Sequence, residues 1–115
     1  MNWKGDRKMI ETIKDGEVFR LADKVEYRKG TYHPVVVDRN DGGEHTLIAV
    51  DEGAMIPDHE APADIIFYAL EGSGILQYDG VDYTIRAGEN FFLRKGTLHH
   101  VKALTKFKFS LVRFY

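Results

Sequence analysis

Asp79-Gly80 stands between two short strand-like runs, Ile75–Tyr78 and Val81–Ile85, and this pair restricts the fold more than any other feature of the chain. A two-residue type I′ turn needs positive φ at both central residues, and Asp-Gly tolerates it, so the two runs are expected to fold back as a hairpin. The register follows from the turn. It pairs Tyr78 with Val81 and Leu76 with Tyr83 on an apolar face, and Gln77 with Asp82 and Ile75 with Thr84 on a more polar one. Similar punctuation recurs along the chain. Tyr32–Arg39 carries Val35, Val36 and Val37, a β-branched run that disfavours helix. Asn40-Asp41-Gly42-Gly43 reads as a turn into a strand over Glu44–Asp51. Ile65–Leu70 is a continuous apolar run, the pattern of a strand buried on both faces. Glycine-containing breaks at Gly72-Ser73-Gly74, Ala87-Gly88-Glu89 and Lys95-Gly96-Thr97 set off further strands at Asn90–Leu93, around His99–Ala103, and over Phe107–Tyr115. Many short strands joined by such turns predict an all-β antiparallel sandwich or barrel.

Ahead of Tyr32 the pattern differs. Arg7–Lys14 reads as one or two helical turns, with Met9, Ile10 and Ile13 near one side and Asp15-Gly16 closing it. Glu17–Ala22 and Lys24–Lys29 read as short strands extending one sheet. Residues 1–34 are thus expected to form an extension, and residues 35–115 the barrel. At 115 residues the chain suits one core. Sixteen basic against 18 acidic residues, a net charge of −2, provide no electrostatic footprint for nucleic acid. No run approaches the ~20 apolar residues of a membrane helix. The absence of cysteine excludes disulfides, thiolate metal sites and a Cys nucleophile. The start lacks the apolar core of a signal peptide, so the expected location is cytoplasmic. No Ser-His-Asp order, phosphate loop or dinucleotide fingerprint is found.

Two spaced segments carry the chemistry. In the first, Gly53 is followed after five residues by His59, then Ala61, Ile65 and, after six more, Gly72. In the second, Gly88 precedes Arg94, Gly96, His99 and Ala103. In these spacings the chain resembles the cupins, whose first motif runs Gly, His-x-His, Glu, Gly and whose second runs Gly, Pro-x-Gly, His, Asn. The stretch His59-Glu60-Ala61-Pro62 is similar to a group of small single-domain cupins in which Ala-Pro follows the first His. The resemblance covers roughly residues 35–115 and implies a double-stranded β-helix, the jelly-roll barrel. It also implies one divalent metal ion as cofactor, on His59 and His99. Ala61 stands where the second His belongs and Ile65 where the Glu belongs, so two of the four ligands are present. Catalytic zinc, for comparison, takes three protein ligands plus water. His100, Asp64 and Glu60 have the wrong strand parity to complete the set unless the strand bulges, while His45, Tyr68 and Gln77 are more distant candidates.

The first functional reading is a small-molecule binding barrel. Its mouth would be lined by Ile65, Phe67, Tyr68, Leu76 and Phe92, with His59 and His99 as polar anchors. The second is a metal-dependent enzyme of oxygenase, isomerase or lyase type, with His100 or Tyr68 as acid–base candidates. The third is an interaction module. A homodimer is expected on three grounds: strand edges in Glu17–Lys29 that need covering, the aromatic C-terminal strand, and the resemblance itself, which implies a dimer because small single-domain cupins are often dimeric. Light scattering would then report about twice the mass of one chain.

Overall fold

In the computed structural model, which describes residues 8–115, φ is 50° at Asp79 and 80° at Gly80. This turn joins β6 (Ser73–Tyr78) to β7 (Val81–Arg86) in the expected register, Tyr78 opposite Val81 and Leu76 opposite Tyr83. The other strands are β1 (Lys8–Met9), β2 (Tyr32–Asn40), β3 (Gly43–Val50), β4 (Met55–Glu60), β5 (Asp64–Glu71), β8 (Asn90–Leu93), β9 (Leu98–Ala103) and β10 (Phe107–Phe114). They build two antiparallel sheets, one in the order β1-β2-β3-β10-β5-β8 and the other β4-β9-β6-β7. No described helix is long and apolar enough to cross a membrane.

The two sheets close over one apolar core, to which the inward residues of β10 and β5 contribute Phe107, Phe109, Leu111, Ile65 and Phe67. The Phe67 ring stacks on Phe109 with centroids 4.2 Å apart. On β5 the apolar run alternates: Ile65, Phe67 and Ala69 are buried, whereas Tyr68 is 37% exposed. The expectation of a strand buried on both faces is therefore corrected. Only part of the outer face of the six-stranded sheet is covered.

That cover comes from the chain's own N-terminal segment. Val25 is buried with Val37, Leu47 and Ala49, and Ile10, Ile13, Leu21 and Tyr27 pack against this second cluster. Lys108 points to the same outer side and is buried, its Nζ donating to the Ala22 carbonyl at 2.7 Å. The expected helix over Arg7–Lys14 is replaced: Lys8–Met9 pairs with Arg39 and Asp38 of β2, and Ile10 N–H donates to Val37 O at 2.8 Å. Arg7 lies outside the described residues. So short a helix cannot hold itself, and the open edge of β2 satisfies these backbone donors instead. The strands expected in Glu17–Ala22 and Lys24–Lys29 are also absent. A single 3₁₀ turn, Leu21–Lys24, interrupts an irregular strap, which is anchored through side chains on a sheet face and not through a sheet edge. One ground for a homodimer, the strand edges of this segment, falls away with them.

His45, one of the more distant ligand candidates, is half-buried on the outer side of β3, and no partner meets its Nε2 among the described residues. Burial pushes its pKa below the ordinary histidine value, and the Asp38 carboxylate opposes this in part. The unfolded chain, with His near 6.5, therefore takes up the proton before the native state does. The resulting stability is full above the unfolded pKa and is lost as pH falls below it. The thermal midpoint is expected to drop between about pH 7 and 5, and His45→Phe to flatten that drop. An unchanged pH profile in the variant would refute the assignment.

Candidate ligand-binding site

β4 and β9 pair Ile56 with Val101 and then His59 with His99. Between those pairs Pro57 and Asp58 lie opposite the single residue His100, so β4 carries a bulge. Ile56 is buried in the core. Regular alternation would turn Asp58 inward and His59 outward; the extra residue re-aims His59 into the barrel. Pro57 suits the irregularity, since it has no N–H to lose from the ladder.

The bulge brings the two imidazoles together, with ring centroids 4.1 Å apart and planes tilted by 60°. His99 is 5% exposed, and His59 sits at the rim, open to solvent. His59 Nδ1 lies 3.0 Å from the Pro57 carbonyl and His99 Nδ1 lies 3.1 Å from that of Thr97. A carbonyl oxygen only accepts, so each ring donates from Nδ1, and a neutral ring then keeps Nε2 as a free lone pair. Burial pushes the His99 pKa down, the Thr97 carbonyl opposes, and the nearby His59 lowers it further.

His59 and His99 line a cavity of about 70 Å³ together with Ile65, Phe67, Leu76 and Leu93. Five of the seven residues expected at the site are thus brought together, and two are not. Tyr68 is on the outer face of β5, in a shallow hollow with Leu21, Leu70 and Val112. Phe92 pairs with Ile66 on that same outer side and is 51% exposed. Inside, its place is taken by Leu93, paired with buried Ile65. The run Phe91-Phe92-Leu93 has no polar residue to mark its parity, so the register with β5 decides which side chain enters.

Arg113, which no motif marks, also lines the cavity. The signal was present in the alternation of Phe107, Phe109 and Leu111, which carries on to position 113.

None of the candidate extra ligands joins the pair. His100 Nδ1 faces Asp58 Oδ1 at 2.7 Å across the outer side, Asp64 Oδ1 accepts from Lys95 N–H at 2.9 Å, and Gln77 donates to Asp82 at 3.0 Å. Glu60 is exposed. Among the described residues no three His, Cys, Asp or Glu side chains are grouped as a metal site would need. The two imidazoles supply two of the three protein donors that a catalytic zinc site typically uses.

Residues 46–114, well over half the chain, match the family model described as the cupin domain. The chain belongs to the cupin family. No curated protein matches it. Among solved structures, this cupin is similar to a conserved protein of unknown function from Streptococcus pyogenes: TM-score 0.83, 21% identity, 93% of this chain and 94% of that one. It is similar to a cupin superfamily protein from Desulfitobacterium hafniense at TM-score 0.85 and 14% identity, over 93% and 98% of the two chains. A cupin 2 conserved barrel domain protein from Leptotrichia buccalis matches at TM-score 0.79 and 28% identity, over 84% of this cupin and 47% of that chain.

Proposed function

We propose that this cupin binds a small organic molecule inside its barrel, held by Nε2 of His59 and His99. The carrying observation is the pair of imidazoles at 4.1 Å whose Nδ1 atoms are both committed to backbone carbonyls. This leaves two lone pairs beside a cavity lined mostly by apolar residues, with Arg113 and Tyr32 as its other polar side chains, the combination of shape and few polar anchors typical of ligand sites. Size restricts the occupant. A cavity of roughly 150 Å³ takes benzene, so about 70 Å³ accepts a shorter molecule or the end of a longer one.

A metal-dependent enzyme is the second reading, favoured by the same two lone pairs, since metal-bound histidines usually donate their other N–H to a carbonyl or carboxylate. Mass spectrometry and metal analysis of protein purified without a His tag separate the two. The binding reading predicts a released organic molecule, substoichiometric metal, and about fivefold or greater weakening of ligand binding in His99→Ala, the loss of one hydrogen bond. Stoichiometric metal that disappears in His99→Ala would overturn it in favour of the enzyme.

A further inference from the structure

The inner face of β10 ends in a charge. After Phe107, Phe109 and Leu111 the next inward residue is Arg113, whose side chain is 20% exposed and lines the cavity of the two histidines. Its strand neighbours are Glu44 on β3 and Ile65 on β5. Glu44 holds one end of the guanidinium: its Oε2 accepts from Arg113 Nη1, and also from the Thr46 hydroxyl at 2.8 Å. The bonds Arg113 makes within the described chain run through Nη1, to Glu44 and Thr46. Its Nε is buried and meets no partner among the described residues.

A buried donor without an acceptor is costly, more so on a charged group, so such groups are rare. The remaining acceptors on the wall do not meet it, and the apolar residues Ile48, Ile56 and Leu93 cannot. With Nη1 occupied, the guanidinium keeps the edge formed by Nε and Nη2, two parallel donors spaced for the two oxygens of a carboxylate. The opposite polarity holds at the histidines. Their Nε2 lone pairs accept, so a partner there must donate.

We infer that the ligand is a short hydroxy acid, its carboxylate on the Nε edge of Arg113 and its hydroxyl donating to His59 or His99. This rests on the binding reading above and specifies its chemistry. Glu44 offsets the charge of Arg113, so recognition comes from the paired hydrogen bonds at short range. The small cavity keeps the acid to a few carbons. Glu44 and Thr46 are positioning residues, fixing the guanidinium so that one edge stays available.

The test uses the full chain labelled for NMR, titrated with lactate, with propane-1,2-diol lacking the carboxylate, and with propionate lacking the hydroxyl. Lactate is expected to saturate, shifting the Arg113 Nε–H resonance together with the His59 and His99 ring signals. Propionate and the diol are expected to bind roughly tenfold or more weakly, each having lost one set of hydrogen bonds. Arg113→Lys keeps the charge without the fork and is expected to lose the lactate preference. Should that variant misfold because Glu44 loses its partner, the double variant with Glu44→Gln and Arg113→Gln removes both charges together. If the diol binds as well as lactate and moves only the histidine signals, the barrel site stands and the carboxylate inference is overturned. If no probe moves the histidine signals, the inference and the binding reading on which it rests both fall.

Discussion

Gly72→Ala is expected to destabilise the barrel by more than about 4 kcal/mol, enough to leave many domains of this size largely unfolded. Gly72 has φ +73°, and a Cβ built there would lie 1.9 Å from the Lys106 carbonyl oxygen and 2.7 Å from Thr105 Oγ1. The first contact is with backbone, so no side-chain rotation relieves it. Gly72 cannot easily retreat, because its own carbonyl accepts the Ala87 N–H at 3.0 Å. The left-handed conformation adds a further ~1 kcal/mol for any residue with a Cβ. Gly80→Ala is the control: its φ is +80°, but nothing lies within 4 Å of the added Cβ, so only the conformational part is lost. Urea unfolding midpoints of the two variants check this, and equal losses at both positions would contradict the clash.

Phe67→Ala is expected to cost about 3–5 kcal/mol, the range for removing a buried aromatic ring. Phe67 is 1% exposed, stacks on Phe109, and has its centroid 6.0 Å from that of Phe107. It also lines the ligand cavity, so its removal opens additional space beside the histidines. The variant should therefore lose stability and gain affinity for larger apolar probes such as benzene. Phe67→Leu, which keeps most of the volume, should lose much less. Guanidinium unfolding with and without benzene measures both effects. A Phe67→Ala protein as stable as the parent would show that the inner faces of β5 and β10 do not form the core described.

What could be read without coordinates was local or periodic. The Asp79-Gly80 turn, its register and the strands from Tyr32 onward rest on φ preferences, β-branching and the two-residue side-chain period, all properties of adjacent residues. His59 and His99 were found by spacing alone, since regularly placed glycine turns set where each falls along its strand. The inward aim of His59 was not legible in the same way. It depends on the bulge at Pro57 and Asp58, which appears only when β4 is set against β9.

Tertiary structure decided the rest, because burial belongs to pairs of segments distant in sequence. Tyr68 and Phe92 face outward although both sit in apolar runs, since β5 and β8 present one side to the core and the strap stops short of the other. The helix and strands expected in this segment do not form: Ile10, Ile13, Leu21 and Val25 take their positions from the sheet face they cover, not from their neighbours in sequence. Arg113 is one of several cations near the C-terminal end of the sequence, and only the pairing of β10 with β3 and β5 on either side sets it apart. That packing placed Glu44 against one end of its guanidinium and left Nε buried without an acceptor among the described residues. Local backbone chemistry in the sequence determined the turns and strands of this cupin, while the charge and polarity lining its cavity were decided by which strands became neighbours in the sheet.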